Sequence, residues 1–79
     1  MNDGVFERVE RLSRREREIF GLLGNGLSNR GIARRLEISE STVKFHVSNV
    51  LIKLRVESRL QAGSVACLLL ARPAPPGLP

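Results

Sequence analysis

Tryptophan and tyrosine are missing from this chain, and its aromatic residues are three phenylalanines, Phe6, Phe20 and Phe45. A core made from such an inventory must be mainly aliphatic. One cysteine, Cys67, excludes an internal disulfide and a cysteine metal cluster. It lies in the apolar run ACLLLA and is expected to be a small buried hydrophobe. One histidine, His46, has no second histidine or ligand set near it in the sequence, so it is expected to be packed or to touch a phosphate. No apolar run approaches the roughly 18 residues of a membrane span, and the charged N-terminus does not have the pattern of a signal peptide. A cytoplasmic location without membrane attachment is the expectation.

Seventy-nine residues make one small domain. A chain of this length buries only about 60% of its unfolded surface, which leaves no room for a deep substrate cavity. No nucleophile is paired with a base and no glycine loop is placed to cradle a phosphate. The chain is therefore expected not to be an enzyme, with no catalytic residue, cofactor or metal.

What the chain does have is positive charge. Thirteen Lys and Arg stand against eight Asp and Glu, a net charge of +5, and the isoelectric point is about 11.1. Such a balance points to an acidic partner, nucleic acid before an anionic membrane surface. Arginine outnumbers lysine eleven to two, which suits bidentate contacts to phosphates or base edges, although a GC-rich genome gives the same bias.

Helix signals divide the chain. Residues 1–11 have apolar spacing at Val5 and Val9 but little to anchor them, and read as a linker or frayed segment. Residues 72–79 (RPAPPGLP) hold four prolines and read as a disordered tail. Between them, residues 12–71 show four helices. Ser13 with Glu16 forms a capping box ahead of Ile19, Phe20, Leu22 and Leu23, and GNG ends that helix. The RREREIF run reads as its solvated face, with Arg14 paired to Glu18. Ser28 caps a short helix whose inner face is Ile32, Ala33 and Leu36. Ser39 caps a third running to about Leu54. Ser58 with Gln61 reads as a second capping box, opening a fourth helix. No segment has the period of two that a strand needs. The fold class is thus all-α, a compact four-helix domain.

Only EIS separates the second helix from the third, so the two must cross steeply, as in a helix-turn-helix. Ala33 would permit the close approach, with Ile38 and Val43 meeting at the corner. On a helical wheel Val43, Val47, Val50, Leu51 and Leu54 form an inner stripe roughly 100° wide. Ser41, Phe45, Ser48, Asn49 and Ile52 lie opposite, flanked by Thr42 and Lys44. That outer face has the chemistry of a major-groove reader. Lys44 can donate to guanine O6 and N7, Ser48 and Asn49 can bond to bases or backbone, and Phe45 can pack on a thymine methyl. The amino ends of the second and third helices, with Ser28, Asn29 and Arg30 at one and Ser41 and Thr42 at the other, are natural phosphate seats, with Lys53 farther along. Other readings stay open. Phe45 can fold back on a neighbouring helix, Phe45 with Ile52 can mark a protein-binding stripe, and the apolar excess of the fourth helix can be core alone.

The pieces LSRRERE, GLSNRGIARRL, ISESTVKFHVSNVL and KLRVESRLQA closely resemble the DNA-binding domain of LuxR-type transcriptional regulators, the module that also ends response regulators of the NarL/FixJ class. The resemblance covers about Leu12 to Ala66. It implies that the third helix (about 40–54) enters the major groove of double-stranded DNA to regulate transcription. By position, Lys44, Phe45 and Ser48 match base contacts, and Thr42, Asn29, Arg30 and Lys53 match positions near phosphates. The fourth helix then makes a homodimer contact, with Val65, Ala66 and Leu69 as interface candidates. The resemblance also implies a linked receiver or sensory domain, or a contact with RNA polymerase. Four positions depart from the pattern: Gly31 where Glu is frequent, Glu37 and Arg55 where Gly is frequent in turns, and Ile52 where a basic or polar residue is usual. Two rivals remain, a sigma-factor-like promoter-reading domain and a protein-interaction module that keeps the fold.

Overall fold

Serine side chains set three of the helix starts. Ser13, Ser28 and Ser39 each lie in extended backbone, and each hydroxyl accepts the amide of the residue three positions on, Glu16, Gly31 and Thr42 respectively. Each bond satisfies one of the amides that a helix leaves without an internal acceptor. The computed structural model describes residues 4–70, the last of them by its backbone only. Within them lie α1 (Val5–Glu10), α2 (Arg14–Gly24), α3 (Asn29–Leu36), α4 (Glu40–Leu54) and α5 (Arg59–Leu70), and no strand is found among the described residues. Among the described residues the fold is all-α, as expected, but with five helices in place of four.

The added helix is α1. Residues 1–11 read as linker or frayed chain, yet Val5–Glu10 is helical, Val9 is buried, and Val5 packs on the core. Two hydrogen bonds hold α1 down. Arg8 Nε donates to the carbonyl of Leu54 at 3.0 Å, and Arg17 Nη2 donates to the carbonyl of Val9 at 3.3 Å. The first satisfies a carbonyl at the end of α4 that has no acceptor role inside its own helix. The proline-rich tail expected over 72–79 lies outside the described residues.

Two finer expectations change. Ser58 Oγ accepts the Gln61 amide at 3.2 Å, but Gln61 Oε1 accepts from the amide of Glu57 at 2.7 Å rather than from that of Ser58. The capping box at α5 is therefore half formed, its return arm shifted back by one residue. On α2 the ion pair joins Arg15 to Glu18 at 3.4 Å, in place of the expected Arg14–Glu18 pair. Both spacings lie on one helix face.

Three helices end by one device. After α2, α3 and α4 a residue turns left-handed, Gly26 (φ 82°), Glu37 (φ 60°) and Arg55 (φ 59°). The next amide then bonds back five residues: Leu27 to Leu22 O at 3.2 Å, Ile38 to Ala33 O at 3.0 Å, and Val56 to Leu51 O at 3.1 Å. This is the Schellman pattern, completed by an apolar residue that folds onto the helix. Leu27, Ile38 and Val56 all pack against the core. Only Gly26 adopts its conformation without a Cβ penalty. Glu37 and Arg55 each hold a left-handed backbone that costs an L-residue about 1–2 kcal/mol.

The core centres on Ile19, Phe20, Ile32, Val43, Val50 and Leu54, all fully buried. Each such side chain contributes roughly 1.5–3 kcal/mol relative to exposure. The α3–α4 turn brings Ala33 and Val43 into it, with half-buried Ile38 packed against it. Helices α2 and α5 approach most closely. Ala62 and Ala66 are 0% and 1% exposed, and a Cβ added at Gly24 would lie 2.7 Å from the Cβ of Ala66 and 3.2 Å from the Cys67 amide nitrogen.

Two substitutions probe this arrangement. Glu37→Gly is expected to stabilise the domain by about 0.5–1 kcal/mol, the left-handed strain outweighing the added freedom of the unfolded glycine. Thermal melting should report it as a Tm rise of about 2–6 °C. Gly24→Ala should lower stability by about 1–2 kcal/mol, because the clash with α5 exceeds the gain of about 1 kcal/mol in helix propensity. Urea titration measures that loss.

Candidate nucleic-acid interface

Which side of α4 is free follows from which side is buried. Val43, Val47, Val50 and Leu54 are in the core, so the opposite side carries Ser41, Thr42, Lys44, Phe45, Ser48 and Ile52 into solvent. Phe45 is 65% exposed and Ile52 72% exposed. Phe45 meets the ring of His46 edge-on, with centroids 5.7 Å apart and planes at 61°. The ring therefore leans along its own helix and does not fold back under another. Asn49 is half-buried at the margin of the face. His46 is half-buried as well, and its Nδ1 is buried with no hydrogen-bond partner among the described residues.

At the amino end of α4, Ser39 Oγ accepts the Thr42 amide at 3.0 Å and donates to Thr42 Oγ1 at 2.9 Å. The Thr42 hydroxyl oxygen thus accepts a hydrogen bond from inside the turn and has its own proton to offer outward. At the amino end of α3, Ser28 Oγ accepts the Gly31 amide at 3.1 Å. Arg30, Arg34 and Arg35 are exposed on α3, and Asn29 is half-buried. The two helix starts therefore bring together serine, threonine and asparagine groups, first-turn amides and arginine charge, which is the chemistry of phosphate contact.

Lys53 has a different placement from the one expected of it. Its Nζ bonds to Glu16 Oε1 at 2.8 Å, and that carboxylate is only 7% exposed while Lys53 is 41% exposed. The same oxygen accepts the Ser13 amide at 2.9 Å. Burial pushes the Glu16 carboxyl up, but hydrogen bonds from Lys53 and the Ser13 backbone, the positive charge of Lys53 and the Ser13 hydroxyl together hold it below the ordinary carboxylate range. Lys53 thus anchors the far end of α4 to the start of α2. Moving it to a phosphate would leave a buried carboxylate with one partner fewer.

The three candidates on α5 separate. Ala66 faces α2 at 1% exposure, so it belongs to the core and not to an interface. Val65 and Leu69 are half-buried and pack on the core with one edge open. Among the described side chains of α5, the large apolar groups that project are Leu60 (78% exposed) and Leu68 (82%). Cys67, expected to be buried, is exposed. It lies one residue past Ala66, and the 100° step of the helix turns it out of the α2–α5 contact. It lines two shallow grooves beside Gly24, of about 450 and 350 Å³. Neither groove contains the histidine, which lies on α4.

Two contributors have no local sequence signal. Glu16 reads as a capping residue, and nothing near it announces Lys53. Arg59, at the start of α5, reaches back to the start of α3, with Nη1 donating to Asn29 Oδ1 and Nη2 to Leu27 O at 3.0 Å.

Residues 10–66 match the family described as bacterial regulatory proteins, luxR family. The nitrate/nitrite response regulator protein NarL of Escherichia coli is 52% identical over 62 residues, 77% of this chain and 29% of that protein. The DNA-binding transcriptional activator DevR/DosR of Mycobacterium tuberculosis is 47% identical over 66 residues, 84% of this chain and 30% of that protein. The response regulator protein VraR of Staphylococcus aureus is 50% identical over 56 residues, covering 71% and 27%. The matched region spans less than a third of each of these relatives.

The Glu16–Lys53 pair carries a pH signature. Because the carboxyl is held low in the folded state, its contribution is complete above the unfolded value and is lost as the pH falls through the folded one. Glu16→Gln should cost about 1–2 kcal/mol at neutral pH, reduced from a fully buried pair because Lys53 is part-solvated. The gap between the two proteins should narrow as the pH falls below the ordinary carboxylate value and close once it has passed the lowered folded one, as measured by urea unfolding across the acid range.

Proposed function

The chain belongs to the luxR family of bacterial regulatory proteins, and on that premise we propose that it binds duplex DNA sequence-specifically, with the outer face of α4 in the major groove. The observation that carries this reading is the makeup of that face. A helix surface merely solvated would be charged throughout, whereas this one presents Lys44, Ser48 and the largely exposed Phe45 and Ile52 together. An α-helix fits the groove, whose edges offer acceptors to Lys44, hydrogen-bonding groups to Ser48 and Asn49, and the thymine methyl to Phe45. Ser28, Asn29 and Arg30 at the start of α3, and Ser41 and Thr42 at the start of α4, would hold the flanking phosphates. Lys53 contributes here by fixing α4 to α2, and its partly exposed ammonium would have donors left for the backbone.

A homodimer on DNA fits the same reading. Leu60 and Leu68 project from α5, beside the partly open Val65 and Leu69. Two copies paired through them would read half-sites about one helical turn, roughly 34 Å, apart. Two of the relatives are named response regulators and the chain matches under a third of each. We therefore place it as the output domain of a longer regulator, linked to a receiver or sensory domain and acting through RNA polymerase in the cytoplasm. No helix among the described residues is long and apolar enough to cross a membrane.

Selection of bound duplexes from a random pool tests the proposal, because it reports half-site, spacing and copy number together. On the selected duplex, Lys44→Ala should cost about 1–3 kcal/mol and relax preference at one base pair. Phe45→Ala should weaken a thymine-bearing site by about 1 kcal/mol and leave its thymine-less variant nearly unchanged. Equal losses on every duplex would remove both residues from the base-reading set. A protein-interaction module would instead show no steep salt dependence toward any duplex.

A further inference from the structure

Asparagine is ambiguous as a recognition group. Its carbonyl oxygen accepts and its amino group donates, and the two ends can exchange places by rotation about one bond. At Asn29 that ambiguity is removed. Arginine has only donors, and the Nη1 of Arg59 bonds to Asn29 Oδ1 while its Nη2 is held by the carbonyl of Leu27 at 3.0 Å. The guanidinium is thereby fixed at two points, and the carbonyl end of Asn29 must face it. The amino end must point the other way. It has no hydrogen-bond partner among the described residues, and it belongs to the first residue of α3, beside Arg30.

We propose that Arg59 is a positioning residue for DNA binding: it acts through Asn29, setting that side chain with its donor end toward the phosphate backbone. This rests on the reading of the α3 start as a phosphate seat. The arrangement parallels α4, where Ser39 donates to Thr42 Oγ1 and leaves the Thr42 proton for an outside acceptor. The difference is reach. Ser39 and Thr42 belong to one turn, whereas Arg59 lies 30 residues from Asn29, on the helix that carries the projecting Leu60 and Leu68. The donor orientation at α3 therefore depends on how α5 is seated.

A double-mutant cycle separates this role from its competitors, with a duplex selected from a random pool as probe and Tm read in parallel. Asn29→Ala should weaken binding about tenfold, the cost of one hydrogen bond to a charged acceptor. Arg59→Met should weaken it severalfold in the wild-type background and hardly at all in the Asn29→Ala background. If Arg59 contacted phosphate itself, or served only to hold the fold, its loss would be the same in both backgrounds and the proposal would fail. Asn29→Asp gives a second arm that does not depend on the stability of the Arg59 variant. The aspartate pairs with Arg59 and suits a helix start, so Tm should hold or rise while affinity falls further than for Asn29→Ala. Affinity equal to or better than that of Asn29→Ala would overturn the outward-donor assignment. A wild-type chain that binds no duplex defeats the DNA-binding reading as a whole, whereas wild-type binding with additive losses defeats only the role of Arg59.

Discussion

The carboxylate of Glu16 joins two jobs that a small domain can rarely afford to separate. It completes the capping box that starts α2, through the Ser13 amide, and it receives the ammonium of Lys53 from the last turn of α4. A carboxylate buried this far is costly unless its oxygens are satisfied, so the start of one helix and the end of another are held in a fixed relation. The orientation of α4 follows. With Val43, Val47, Val50 and Leu54 drawn inward and the far end tied down, the side bearing Lys44, Phe45 and Ser48 has one direction in which to face.

Around that anchor the chain accepts strain where it turns. Glu37 and Arg55 take left-handed backbone that glycine would adopt at lower cost, and both are followed by an apolar residue that folds back on the core. The back-bonded amides of Ile38 and Val56 and the burial of their side chains offset the strain. The first of these turns lies between α3 and α4, so its geometry sets the angle at which the candidate reading helix leaves its partner. The second sends the chain into α5. Its route is constrained again by the approach of Ala66 to Gly24, where the Ala66 methyl group fills the space that a side chain on Gly24 would need.

Besides Phe6 on α1, the large exposed apolar groups among the described residues fall on α4 and α5, with different neighbours. Phe45 and Ile52 share α4 with a lysine and hydroxyls, a mixture suited to base edges. Leu60 and Leu68 stand on α5 near the small residues of the α2 contact. On the proposed reading, this separation would let α4 face nucleic acid and α5 a second copy without competing for the same surface. Arg59 ties α5 to α3, since it sits at the start of α5 and holds a side chain at the start of α3.

The residues alone determined most of the local structure. Caps at Ser13, Ser28 and Ser39, the EIS turn and the 100° periodicity of α4 rest on interactions within about four residues, and these leave a pattern in sequence. The outward direction of Phe45 belongs to the same class. Tertiary structure decided the pairings that span tens of residues: Lys53 with Glu16 at a separation of 37, Arg59 with Asn29 at 30, and Arg8 with the end of α4 at 46. It also decided that Ala66 is core and Cys67 is exposed, and that Val5–Glu10 docks as a helix. In each of these cases the residue type is compatible with either outcome. A lysine can meet a phosphate or a carboxylate, and an alanine can face a partner or a neighbouring helix. Only the position of the other element in space selects between them.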